Sequence, residues 1–337
     1  MGNAKKGTNL NPALTLLLIS APLFFVFLSL FFGRYRISAP DVVNALFRPS
    51  DAIPAVVTVV RQLRLPRAVA AAFVGASLSV SGAAFQSIFR NPLVNSGILG
   101  VSNGAGFGAC LAIVFLGGGI ATYFSSFFFA LLAVVLSWFA GRISKVTSTV
   151  SLILGGAMVS AFFSALISIM KYLADPYSQL PGITFWLMGS FASINYSHLA
   201  AVIPMSLGML AVFLSRWKIN ALSMGDKEAA TLGVDVKFYK ILVISGATIA
   251  TASAVCISGT IGWVGLVIPH IGRMLTGNNN SKLIPVSISL GASFMIIIDL
   301  IARSLTSSEL PIGILCALIG SPFFVYLLKK KKGGTVS

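Results

Sequence analysis

Residues 66–87 read PRAVAAAFVGASLSVSGAAFQS, and no charged side chain occurs between Arg67 and Arg90. A run of this length and character is what a transmembrane helix needs: about 20 residues, rising 1.5 Å each, cross a hydrocarbon layer of roughly 30 Å. Working outward, apolar runs broken by Gly, Pro, Asn or charge predict nine more spans, at 13–33, 94–109, 121–140, 150–172, 197–215, 238–257, 261–272, 284–303 and 311–328. The runs at 94–109 and 261–272 are short and rich in glycine, as expected of helices that stop inside the protein or border a cavity. The longest polar connections are 34–65, 173–196 and 216–237.

Composition agrees. Of 337 residues, 56% are hydrophobic and 9% charged, against about 25% charged in a soluble domain. So few charges cannot cover a water-soluble protein of this size, which excludes an ordinary soluble enzyme and a disordered chain. The net charge of +16 is therefore no sign of nucleic-acid binding. Cys110, Cys256 and Cys316 lie in apolar runs without a CxxC pair and read as small buried hydrophobes. The run from Pro12 to Phe32 is too long for a signal-peptide core and reads as a retained first helix. The expected fold is all-α: a polytopic membrane protein of about ten transmembrane helices, one domain over 1–337, with short tails at 1–12 and 329–337.

Charge sets the orientation. With ten spans and both termini inside, the cytoplasmic side carries Lys5, Lys6, Arg90, Arg142, Lys145, Arg216, Lys218, Lys227, Lys237, Lys240, Arg273, Lys282 and Lys329 to Lys332. The outer side keeps Arg34, Arg36, Arg48, Arg61, Arg64, Arg67, Lys171 and Arg303. The excess of inner Lys and Arg supports cytoplasmic termini. Six of the outer set fall in the single segment 34–67. An acidic partner outside would explain this basic loop; interfacial anchoring of long side chains is the alternative.

Chemistry is sparse. There is no G-x-x-x-x-G-K-[ST], so the chain does not hydrolyse nucleotide through a P-loop. His198 and His270 are far apart and lack a metal-ligand spacing, and no nucleophile–base set is visible. Among the 8 Asp and Glu, only Asp299 falls inside an apolar span, whereas proton-coupled transporters place ionisable groups at mid-membrane. No catalytic residue and no metal site is expected. A conduit driven from outside itself is the main reading, and an ion-gradient-driven secondary transporter the alternative.

Three segments give a family resemblance. Gln62-Leu63-Arg64-Leu65-Pro66-Arg67 leads through Ser81-Gly82-Ala83-Ala84-Phe85-Gln86 to Arg90-Asn91-Pro92-Leu93 and Leu99-Gly100-Val101-Ser102-Asn103-Gly104. Gly259-Thr260-Ile261-Gly262-Trp263-Val264-Gly265-Leu266-Val267-Ile268-Pro269-His270 follows, then Asp299-Leu300-Ile301-Ala302-Arg303 and Glu309-Leu310-Pro311-Ile312-Gly313. From about residue 34 to 328 the chain resembles the FecCD/BtuC-type permeases, the membrane subunits of type II ABC importers for cobalamin, haem, iron-siderophores and, in one branch, molybdate or tungstate. The resemblance implies a BtuC-like homodimer in the bacterial inner membrane. Two ABC ATPase subunits would carry ATP and Mg, and a periplasmic substrate-binding protein would dock outside; the chain itself would bind no cofactor.

Residue roles follow where motifs match. The coupling loop is 216–237, with Gly225, Asp226, Glu228, Ala229, Ala230 and Gly233 as the ATPase contact; its small residues would let a partner's groove approach closely. Glu228-Ala229-Ala230 with Gly233 is similar to the coupling motif of other ABC permeases, one residue short in spacing. The cytoplasmic gate maps to Asn91, Pro92 and Leu93 and to Ser148 and Thr149. The Asn91-Pro92 step biases residue 91 away from helix and forces a turn, which is also what a plain helix stop would need. Arg64, Arg67 and Arg303 match the positions that pair with glutamates of the binding protein. Gly156, Ser160, Ser164 and Ser168, each four residues apart, lie near one helix face. The family places this helix beside the translocation path, so Ser160, Ser164 and Ser168 are expected to line it; packing between helices is the alternative. Hydroxyls without fixed charge suit a metal oxyanion or a polar chelate better than a large apolar macrocycle.

Overall fold

The computed structural model describes residues 12–142, 149–306 and 308–332. Among them the chain is helical and contains no strand. The helices are α1 (Pro12–Ser29), α2 (Ala39–Phe47), α3 (Pro54–Val57), α4 (Leu65–Ile88), α5 (Val101–Phe115), α6 (Ile120–Arg142), α7 (Thr149–Leu173), α8 (Leu180–Met188), α9 (Val202–Leu214), α10 (Arg216–Leu222), α11 (Asp226–Thr231), α12 (Val236–Ser258), α13 (Val264–Thr276), α14 (Asn280–Ser304) and α15 (Ile312–Lys332). Six stretches are long and apolar enough to cross a membrane: Pro54–Ile88, Ile120–Gly141, Val150–Leu173, Tyr196–Leu214, Val236–Ser258 and Asn280–Ser304. Four shorter apolar helices accompany them, in α1, α5, α13 and α15.

The centre is built on α4. Its sequence is mostly Ala, Ser and Gly, so neighbouring backbones come close. A methyl at Gly75 would overlap the carbonyl of Gly291 on α14, and one at Gly82 the carbonyl of Gly265 on α13. The most apolar window of the α4 stretch is 83% buried, against 22% for α9. At the periphery, Phe124, Phe128, Phe162, Ile203 and Leu207 are all more than half exposed (57–71%), the inverse of a soluble protein's surface and what a lipid-facing rim requires. Gly82→Leu is therefore expected to break the α4–α13 crossing. Its cost should exceed the roughly 1–3 kcal/mol of ordinary overpacking, because backbone rather than side chain is displaced. Loss of a monodisperse peak in detergent gel filtration would show it.

Four features differ from the sequence expectation. The helix expected at 94–109 begins at Val101 and runs to Phe115, because Asn91 and Asn95 accept the backbone N–H groups of Leu93 and Gly97 at 2.9 and 3.0 Å and hold the chain in turns. The helix expected to start at Pro66 is extended back to Pro54. Proline lacks an N–H and clashes in a regular helix; here the preceding turn, Thr58–Arg64, is a π-helix, with Leu65 N–H reaching Val60 O. The 173–196 connection contains α8, whose C-terminal turn is tied down by Ser190 N–H to Ser258 O (2.8 Å) and Ile312 N–H to Gly189 O (2.9 Å). Segment 34–65 is also structured: α2, capped by Ser38, packs with α3 over Leu30, Val42, Ala45, Val56 and Val60. Most of both expected tails, and Ser148 of the expected gate, lie outside the described residues.

Candidate docking, coupling and pathway sites

The N-terminal end of α4 and the C-terminal end of α14 meet at a cluster of charge. Arg67 donates to Asp299 Oδ1 through Nε at 2.8 Å and Nη2 at 2.7 Å, and to Glu309 Oε1 through Nη1 at 2.9 Å. Arg303 Nη2 donates to Ser29 O at 2.5 Å, and its Nε lies 3.7 Å from Asp299 Oδ2. Arg64 donates to Leu30 O and Tyr35 O at 2.6 and 2.5 Å. Ser29 ends α1, where the last carbonyls have no partner within the helix and partial negative charge accumulates. Two of the arginines thus neutralise the end of α1, and the third neutralises two carboxylates.

The three arginines expected to meet a binding protein are buried. Arg64, Arg67 and Arg303 are only 4%, 8% and 5% exposed, not free groups awaiting a partner. A cation at the edge of an apolar bundle must find acceptors, and the chain supplies them internally. Asp299 was the signal: a lone carboxylate in an apolar span needs a cation, and Arg303 stands four residues on. Exposed positive groups at this end include Arg34, Arg36 and Arg48.

The opposite ends of α4 and α14 form a second site. The C-terminus of α4 is a Schellman motif: Asn91 N–H bonds Gln86 O at 3.1 Å and Arg90 N–H bonds Ser87 O at 3.3 Å. Its left-handed residue is Arg90, at φ 50°, where glycine is usual and a side chain costs about 1–2 kcal/mol. Pro92 and Leu93 project outward, Leu93 60% exposed. Gln86 donates to Val94 O and Gly265 O at 2.9 and 3.2 Å and accepts from Arg273 Nη1 at 2.5 Å. Asn220 Oδ1 accepts from Asn280 N–H at 2.7 Å, tying α10 to the start of α14. Between these elements lies a cleft of about 490 Å³ lined by Gln86, Arg90, Asn91, Ser223, Arg273 and Asn278, among others. Thr149 of the expected gate opens α7.

The 216–237 loop forms α10 and α11 on the same end. Asp226 pairs with Lys240 Nζ at 2.7 Å. Ala229 is fully buried with Leu222 and Val234, so it seats α11 on the protein rather than presenting it to a partner. Ala230 and Gly233 are exposed. Gly225, at φ 139°, is buried, and any Cβ there would collide with the Glu228 carboxylate, which folds back over it. Met224 and Leu232, which flank α11, are 62% and 61% exposed, large apolar side chains of the kind a partner's groove would cover.

The serine stripe on α7 changes character along its length. Gly156 packs against Ile98 O, and the carbonyl of half-buried Ser160 accepts from Asn103 Nδ2 at 3.0 Å. Ser164 and Ser168 are exposed, with Ser168 Oγ bonded to Ser164 O at 3.0 Å. One end of the stripe is helix packing; the other is open. Among the described residues no cluster of three or more His, Cys, Asp or Glu groups could hold a metal ion.

Comparison with known proteins places this architecture. The sequence pattern of the FecCD transport family matches residues 19–330. The molybdate import system permease protein MolB of Haemophilus influenzae is 44% identical over 329 residues, covering 95% of this chain and 96% of that one. A Helicobacter pylori chain named for iron chelatin transport is 40% identical, over 85% of this chain and 87% of its own length. A solved metal-chelate type ABC transporter in an inward-facing conformation superposes with a TM-score of 0.86 at 40% identity, covering 95% of this chain and all of that one.

Proposed function

The chain belongs to the FecCD transport family, and from that premise we propose that it is the membrane permease of a binding-protein-dependent ABC importer, forming the path for a metal-containing substrate. It would work as a homodimer in the bacterial inner membrane, both termini cytoplasmic, with ATP hydrolysed on two separate ATPase subunits. In this reading the end holding Arg90, α10 and α11 faces the cytoplasm, and the arginine-rich end faces outward. Asn91, Pro92 and Leu93 supply the inner gate, and α11 with Gly225, Asp226, Glu228, Ala230 and Gly233 contacts the ATPase. Its exposed Met224 and Leu232 would enter the partner's groove. A periplasmic binding protein would dock on the arginine-rich end. Arg34, Arg36 and Arg48 are the charges it meets first, with Arg64, Arg67 and Arg303 beneath them as the cationic floor.

The near full-length similarity to a molybdate permease carries the substrate reading: a metal oxyanion such as molybdate or tungstate, ahead of an iron chelate. The exposed Ser164 hydroxyl supports it, because an uncharged donor lets an anion pass without trapping it. Vesicles holding the full complex should take up labelled molybdate, and Ser160→Leu with Ser164→Leu should slow that uptake several-fold while basal ATPase persists. Uptake of iron-siderophore or haem but not molybdate would overturn the substrate. Unchanged uptake in the double variant would return the stripe to helix packing.

A further inference from the structure

We propose that the cleft between the α4 C-terminus and α13 is a binding site for a small oxyanion. Its lining is cationic and amide-rich: Arg90 and Arg273 carry the charge, Asn91 and Asn278 add neutral donors, and no carboxylate is among the lining residues, the Glu228 carboxylate lying near Arg90 across Gly225. Guanidinium groups match oxyanions because several N–H groups present a planar fork to the oxygens. The volume, about 490 Å³, lies within the range of small-molecule sites. It exceeds a bare tetrahedral oxyanion, so the anion is held with water bridging to the amides.

Two features show that the cations are placed rather than incidental. Arg273 is held by Gln86 Oε1, and Gln86 cannot rotate away because its Nε2 is committed to Val94 O and Gly265 O. Arg90 occupies the left-handed position of the α4 terminus, where glycine would be easier. Its side chain lines the cleft, with Nη1 close to Gly225. An unfavourable backbone kept at a cavity wall points to function in the side chain.

The site rests on the importer reading only for its sidedness. On the cytoplasmic face, two sources supply this chemistry: an imported metal oxyanion after release, and phosphate left by ATP hydrolysis on the neighbouring subunit. Either would sit between the Asn91–Leu93 turn and Ser223, where occupancy can slow the next cycle as product accumulates.

The test uses the purified chain, alone and with its ATPase, in lipid nanodiscs without binding protein. Calorimetric titration with molybdate, tungstate and phosphate, against chloride as control, should show saturable binding by at least one oxyanion. Tighter molybdate or tungstate identifies released cargo, and tighter phosphate identifies the hydrolysis product; both support the site. Arg90→Gly should weaken binding at least tenfold while leaving the thermal midpoint unchanged or raised, since glycine suits that backbone. Arg273→Gln should weaken it comparably. Oxyanion binding no stronger than chloride, or equal affinity in both variants, would overturn the proposal. So would detachment of the ATPase in Arg90→Gly with anion affinity unchanged, which would make the cleft's occupant an acidic side chain of that subunit. ATP-independent transport would sink the importer reading yet leave anion binding by the purified chain intact.

Discussion

Gly225→Trp is expected to abolish uptake while the protein still inserts and its partner ATPase still hydrolyses ATP. Gly225 is buried at φ 139°, a region that side chains rarely adopt, and its Cβ direction is filled by the Glu228 carboxylate. With the Glu228 side chain displaced and the backbone strained, an indole there is expected to unseat α11, turning Ala230, Met224 and Leu232 away from the surface they now form. The bundle core is little involved, because α11 rests on the small cluster of Leu222, Ala229 and Val234 and on the Asp226–Lys240 pair. Uptake should fall at least tenfold and ATPase lose its stimulation by loaded binding protein. Glu228→Arg should do the same more weakly, through repulsion with nearby Arg90. Vesicle uptake measured beside phosphate release checks both; normal transport in the two variants would mean that this loop is not the ATPase dock.

Arg67→Ala is expected to cost the most stability of any single substitution at the arginine-rich end. Arg67 satisfies Asp299, whose side chain is 2% exposed, and Glu309 at once. Removing one partner of a buried pair typically costs about 3–5 kcal/mol, because the other charge is left unpaired. The thermal midpoint in detergent should drop sharply, whereas Arg67→Lys, which keeps a cation between Asp299 and Glu309, should lose less. A midpoint in Arg67→Ala equal to the parent's would show that this network does not hold α4 to α14. For the same reason Arg67→Glu reports on folding before it reports on docking. Charge reversals at exposed Arg34 and Arg36 are the informative docking variants: binding-protein capture should weaken, more so at low ionic strength.

The all-helical membrane class was readable from the uncharged runs alone, because lipid leaves the backbone no other common solution. What the runs hid has physical causes. α8 is nine residues long, too short to register as a span, and is held by hydrogen bonds to α12 and α15 far off in sequence. The start of α5 shifted by seven residues, from 94 to Val101, because two asparagine side chains outcompete the helix for backbone N–H groups. Arg64, Arg67 and Arg303 were legible as an outer basic set but not as a buried one: their acceptors are helix-end carbonyls and distant carboxylates that only the tertiary fold brings near. The cleft at Arg90 and Arg273 joins residues 183 positions apart, beyond any local pattern.

The central claim is that transport through this chain is driven by ATP on a partner and gated by a binding protein. The most direct measurement is uptake of labelled molybdate into vesicles containing the permease–ATPase complex, with ATP enclosed, binding protein outside and ion gradients collapsed by ionophores. Uptake that needs both ATP and binding protein and persists with the ionophores is the expected result. Uptake that proceeds without ATP and stops when an ion gradient is removed would contradict it.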